Sequence, residues 1–207
     1  MSSELSTPDI VRAHFKKAIE LDPDFADPHY HLALHLMEQD RLTEAREHFS
    51  KAVEIASRCA GSLQRKGSKY TAENQFEVAK RHFLKSHEQR LLSARACYQL
   101  GLVLLELGQP QAAAKQFTSA VEFDPALTGA FYQLGRLALG RGDQQTARTF
   151  FEQAVAADVR HAPAHLELAK LIDSEEENEL AKDHYWMAVN LEPTLSSKVL
   201  DNKFREE

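Results

Sequence analysis

The sequence predicts an all-α chain of stacked antiparallel helix pairs, and three observations carry that expectation. Six aromatic residues stand at one fixed interval, Phe15, Phe49, Phe83, Phe117, Phe151 and Tyr185, each 34 residues after the last. Alanines keep the same frame. Ala45, Ala79, Ala113, Ala147 and Ala181 lie four residues before a ring, and Ala18, Ala52, Ala120, Ala154 and Ala188 lie three residues after one, with Ser86 in the remaining slot. Between the rings, apolar residues recur at i, i+3, i+4 and i+7, the spacing of one helical face. A unit of this size cannot bury its apolar face alone, so neighbouring units must stack to form a core.

In chain order, Thr7-Pro8-Asp9 reads as a helix N-cap with proline at the first helical position. That helix carries Val11, Phe15 and Ala18 to Pro23 and forms a half repeat, 7–25, because its partner helix is missing. Full repeats follow at 26–59, 60–93, 94–127, 128–161 and 162–195, giving a single array over 1–195. The unit 94–127 is the clearest. Cys97, Leu100, Gly101 and Leu104 form one face of a first helix, and Gly108-Gln-Pro110 breaks it. A second helix then places Ala113, Phe117 and Ala120 on one stripe and ends at Phe123-Asp-Pro125. The unit 60–93 is divergent. Its first helix should run through Gly61 to Tyr70, where two glycines and two serines lower helix propensity, and Asn74 to Arg90 reads as an ordinary or extended helix. It is the unit expected to be distorted or mobile. After Pro193, residues 196–207 read as a capping helix and tail, with Val199, Leu200 and Phe204 turned towards the last repeat.

These units resemble the tetratricopeptide repeat (TPR), a 34-residue helix–turn–helix with the pattern W-x2-L-G-x2-Y, then A-x3-F, then P. The Leu-Gly pair stands as Leu100-Gly101 and Leu134-Gly135, and as Leu32-Ala33 and Leu168-Ala169 in two other units. The closing proline stands at Pro23, Pro125 and Pro193, while His29, Leu63, Cys97, Phe131 and His165 occupy the tryptophan slot. The resemblance implies a right-handed α-solenoid, the TPR superhelix, with the first helices lining a concave groove. It further implies a non-catalytic scaffold that binds a peptide or amphipathic helix of a partner protein. By that resemblance the groove takes Tyr30, Leu34 and Met37; then Arg95, Tyr98, Leu102 and Leu105; then Tyr132, Arg136 and Leu139; and Leu166 and Lys170 in the last unit. Tyrosine presents an apolar ring with a polar tip, which suits a binding surface. Arg136 and Lys170 would meet an acidic group. The alternative is that these side chains pack within a tight superhelix. TPR clamps that hold a chaperone's C-terminal carboxylate use Lys and Asn one turn apart. Here the equivalent sites hold Tyr30 and Leu34, Gln64 and Ser68, or Tyr98 and Leu102, so that role is disfavoured.

Composition bounds the rest. The chain has 207 residues and a net charge of −6. Between Arg58 and Arg95 stand nine Lys or Arg against three Glu, a net of +6, which leaves −12 for the remainder. A solvated face is the plain reading of that stretch. The sharper one is a patch for an acidic partner around Arg65, Lys66 and Lys69. Nucleic acid is disfavoured by the overall negative charge. No run of about 18 apolar residues occurs, so no membrane span is expected, and the start lacks the apolar run of a secretory signal. Two cysteines, Cys59 and Cys97, suit a reducing compartment with packed thiols, so the cytoplasm is the expected location. His31 and His35 lie four apart but lack a third ligand, and the acidic run 173–179 has no Gly of the kind a calcium loop needs. No phosphate loop, nucleophile elbow or Cys-x-x-Cys is present. Neither an enzyme, nor a metal, nor a cofactor is expected. A second possibility is self-association, in which another copy covers the unpaired N-terminal helix around Val11 and Phe15.

Overall fold

The computed structural model describes residues 7–173 and 178–195, and every regular element among them is helical. The chain divides into two compact units, with the division between Asp124 and Pro125. The first holds α1 (Thr7–Leu21), α2 (Ala26–Glu38), α3 (Leu42–Ala72), α4 (Phe76–Glu106) and α5 (Pro110–Phe123). The second holds α6 (Thr128–Leu139), α7 (Gln144–Ala157), α8 (Ala162–Asp173), α9 (Asn178–Leu191) and a 3-10 turn at Pro193–Leu195. The expected capping helix at 196–207 and most of the acidic turn, 174–177, lie outside the described residues.

The repeat works through one contact. Where the first helix carries glycine, the ring of the second lies directly over it. A Cβ on Gly101 would sit 2.5 Å from the Phe117 ring, one on Gly135 2.5 Å from Phe151, and one on Gly67 2.7 Å from Phe83. In the units that end in Phe49 and Tyr185, Ala33 and Ala169 hold that slot, both fully buried. Phe49, Phe117 and Phe151 have no solvent exposure, and neither do the alanines that flank them. Each such ring is worth about 2–3 kcal/mol as buried apolar surface. Between the two helices of a unit the chain reverses through a left-handed residue. Asp40, Asn74, Gly108 and Gly142, again 34 apart, have φ of 58°, 57°, 69° and 78°. Glycine suits that conformation, and Asn and Asp are the residues that best tolerate it otherwise.

The joints between units differ from one another, and that difference shapes the first unit. After α1, α5 and α9 the chain reads Asp22-Pro23, Asp124-Pro125 and Glu192-Pro193, and after α7 it reads Asp158-Val159. At the two equivalent places around Ser57-Arg-Cys-Ala60 and Leu91-Leu-Ser-Ala94 there is neither proline nor aspartate. No proline there removes a backbone hydrogen bond, so the helix runs on. α3 and α4 are therefore 31 residues each, about 46 Å long. The expected repeat boundaries at 59/60 and 93/94 fall inside them.

The first half of α3 consequently lies against the second half of α4. Ser57 and Ser93 share a hydroxyl hydrogen bond of 3.2 Å, and Ala26, Ile55, Ala56 and Leu92 form one buried cluster. Arg90 donates to the carbonyls of Glu122 and Phe123 at the end of α5. Beyond these contacts, residues 60–89 continue as a two-helix arm packed on itself. Phe83 covers Gly67, Tyr70 stacks on His82 at 5.1 Å, and the Ser86 hydroxyl donates to the Ala60 carbonyl at 2.9 Å. That bond accounts for serine in an alanine slot. The arm is regularly helical despite its glycines, because Gly67 is the position that lets the two backbones approach. At the N-terminus, α1 packs on α2 with Phe15 stacked on His31 at 5.8 Å, while Ile10 and Val11 remain exposed.

The ring-over-glycine contact makes a stability prediction. Gly101→Ala forces the Phe117 ring to move and is expected to cost about 1–3 kcal/mol in urea unfolding. Gly61→Ala, whose Cβ would meet nothing closer than 3.6 Å, is expected to be neutral or to stabilise by up to about 1 kcal/mol through helix propensity. Equal effects at the two positions would contradict the packing described.

Candidate partner-binding surfaces

The first-helix residues singled out by the repeat register are semi-exposed rather than free. In the first unit Tyr30 meets Phe49 edge-on at 5.8 Å, and Tyr98 leans on Phe117 at 5.8 Å. In the second, Tyr132 leans on Phe151 at 5.7 Å and on His161 at 5.1 Å. Each tyrosine thus roofs the ring that closes its own unit and keeps its remaining surface outward. Burial raises the Tyr30 phenol, which Arg95 opposes. Burial and then Glu167 raise Tyr132, which Arg136 opposes. Leu34, Met37, Leu102, Leu105 and Leu139 are half-buried, and Arg95, Arg136 and Lys170 are exposed. Lys170 pairs with Glu167 at 2.9 Å, so its charge is already engaged within α8. Leu166 is buried in the core of the second unit and offers nothing to a partner.

The basic stretch lies on the arm. Arg65, Lys66 and Lys69 are all exposed on α3, with Lys69 3.9 Å from Glu73. Lys80, Arg81 and Lys85 of α4 are also exposed. The same helix carries Phe76, Phe83 and Leu84 at 61%, 41% and 55% exposure, against 0% for the equivalent rings Phe49, Phe117 and Phe151. The sequence reading assigned these side chains no surface role. The signal was present as the two missing turn sequences at 57–60 and 91–94, which leave Phe83 without a following helix to cover it.

A second feature has no sequence motif. His29 and His48 place their Nδ1 atoms 3.0 Å apart, and His165 and His184 place theirs 2.8 Å apart. Both pairs join the same two slots of a unit, 19 residues apart, in the first and last full repeats. His165 Nε2 also faces the Val159 carbonyl at 3.0 Å, so it must donate there. In the neutral pair His165 Nδ1 is then the acceptor and His184 Nδ1–H the donor. Burial holds His29, His48 and His184 below the usual histidine range. His31 stacks on Phe15, and His35 contacts Gln39 and Glu38. Among the described residues no group of three or more His, Cys, Asp or Glu is placed to hold a metal ion. Cys59 and Cys97 are unpaired thiols, and burial pushes Cys97 up to about 12, which leaves it unreactive at neutral pH. No helix among the described residues is long and apolar enough to cross a membrane.

Three models of the tetratricopeptide repeat match the chain, at residues 11–58, 94–127 and 130–158, together more than half of its length. The chain belongs to the tetratricopeptide repeat family, and its fold is the all-α solenoid of that family. The matched segments leave the arm between them. The family is one of protein–protein interaction scaffolds and is typically non-catalytic. Among solved structures, a crystal structure of MamA aligns with a TM-score of 0.62 and 16% identity over 94% of this chain and 99% of that one. A MamA RS-1 double mutant aligns with a TM-score of 0.62 and 18% identity over 93% and 89%. YrrB, described as a TPR protein with an unusual peptide-binding site, is 27% identical over 90% and 97%, with a TM-score of 0.47. No curated protein matches the chain.

The histidine pairs make a pH prediction. Each pair can hold one proton between its two rings but not two, because two N–H groups would then face each other. In the unfolded chain both rings titrate freely near pH 6.5. The folded pKa values of His29, His48 and His184 lie below the unfolded ones, so their contribution is complete above about pH 6.5 and is lost as pH falls through the folded values. The melting temperature is expected to drop between pH 7 and pH 5. His48→Gln with His184→Gln should flatten that slope. An unchanged slope in the double variant would remove the pairs as its cause.

Proposed function

We propose that the first-helix faces capture an extended segment or amphipathic helix of a partner protein, within a multiprotein complex. The observation that carries this is the recurrence of half-buried tyrosine, Tyr30, Tyr98 and Tyr132, each followed one turn later by Leu34, Leu102 or Arg136. Each tyrosine is held by the ring beneath it, so its outer surface is fixed in place before a partner arrives and little side-chain entropy is lost on binding. Around the tyrosines, Met37, Leu105 and Leu139 supply apolar contact, and Arg95 and Arg136 supply charge at the edge, the usual division between the centre and rim of an interface. Neither face offers the Lys and Asn constellation of a carboxylate clamp. Two unpaired thiols support a reducing compartment such as the cytoplasm as the place of action. A second reading, self-association through α1, is supported by the exposure of Ile10 and Val11, at 41% and 40%.

The test is capture from lysate by wild type and by Tyr98→Glu with Tyr132→Glu. Because both rings lean on a core phenylalanine, Leu102→Glu with Arg136→Glu serves as a second variant that leaves the tyrosines in place. Loss of the same partner in both, with helicity by circular dichroism retained, is expected. Undiminished capture by both would end the proposal. Oligomers at rising concentration that Val11→Glu abolishes would favour the second reading instead.

A further inference from the structure

We propose that the arm formed by residues 60–89 carries a separate docking surface on α4, and that its occupant is an acidic amphipathic helix of another protein. The stripe is built by spacing. Phe76, Lys80, Phe83, Leu84 and His87 stand at i, i+4, i+7, i+8 and i+11, so they share one helical face, and with Thr71 they line a shallow depression. Phe76, Phe83 and Leu84 are exposed for a structural reason. Phe49 is buried because the first half of α3 lies against both α2 and the second half of α4. Phe83 rests on Gly67 of α3, and 94–106 runs on from α4 along the helix axis instead of folding back. The stripe is about 17 Å long, three turns of a facing helix.

The charge around it selects the partner. Between residues 60 and 89 stand six Lys or Arg against three Glu, in a chain whose net charge is −6. Lys80 lies within the stripe, with Arg81 and Lys85 beside it on α4. A partner helix with leucine-like residues on one side and carboxylates flanking them would meet both features at once. A second copy of this chain would bring one basic arm against another, which costs free energy. Nucleic acid would engage the basic rim, but Leu84 has no π face to stack on a base, and Phe83 already rests one side on Gly67.

The surface is distinct from the first-helix faces, and the experiment separates the two. A benzoylphenylalanine photo-crosslinker replaces His87 at the edge of the stripe, in the full chain, with the exposed Thr118 on α5 as the control position. Irradiation in lysate, followed by mass spectrometry, identifies the segment joined. The expected product is one segment of another protein, acidic on its flanks and apolar on one helical face. Its yield should fall at least fivefold with Lys80→Glu and Lys85→Glu and stay unchanged with Leu102→Glu and Arg136→Glu. The same segment, made as a peptide, should bind the full chain at least tenfold more tightly than the Phe76→Ser, Leu84→Ser variant. That variant spares the Phe83–Gly67 contact and is checked for helicity. Adducts to a second copy, adducts to nucleic acid, a yield no greater than at Thr118, or equal peptide binding would each overturn the proposal.

Discussion

Every unit of this protein is organised by an aromatic ring pressed onto a residue with little or no side chain. The ring from the second helix sits where a Cβ on the first helix would fall inside contact distance at Gly67, Gly101 and Gly135. The alanines on either side let the backbones close around it. Removing the side chain on one helix gives the ring on the other its place, and dispersion and burial then act over the whole ring surface. The tyrosines depend on the same contact. Tyr30, Tyr98 and Tyr132 are held half out of the core because the phenylalanine beneath them is fixed.

A repeat array also needs instructions on when to turn. Here they are carried by a few residues between units. Asp-Pro or Glu-Pro ends three of the helices and an aspartate ends a fourth, whereas two joints lack any such signal and fuse neighbouring helices into 31-residue rods. The effect on packing is local and large. The stack in the first unit passes from the early half of α3 to the late half of α4, and the repeat between them is pushed out as an arm. Its ring keeps its contact with glycine and loses its cover. A hydrophobic residue that repeats perfectly in sequence is thus core in one unit and surface in another.

The two kinds of surface follow from this difference in packing. First-helix faces present tyrosines that are supported from below and edged with arginine, the faces proposed to take an apolar segment. The arm presents aromatic and aliphatic side chains among lysines and arginines, in a chain that is otherwise acidic. The paired histidines near the ends of the array are neither of these. One of each pair, His29 or His165, stands in the slot where the family pattern has tryptophan, and a hydrogen bond to His48 or His184 closes it rather than apolar bulk.

The sequence by itself determined the helix pair, the 34-residue period, the ring and alanine stripes, and the turn at 108–110. All of these rest on interactions within one unit, where spacing along the chain equals position in space. It also marked 60–93 as the odd unit, through its charge and its Lys66-Gly67. Tertiary structure alone decided whether a given ring is covered: Phe49 and Phe83 both lie on helices that run straight on, yet the first is wholly buried and the second is exposed. Phe83 and Phe117 are indistinguishable by register. One is 41% exposed and the other wholly buried. The histidine pairs were equally hidden. A contact between residues 19 apart on two helices is fixed by how those helices pack, and no local pattern in the sequence records it.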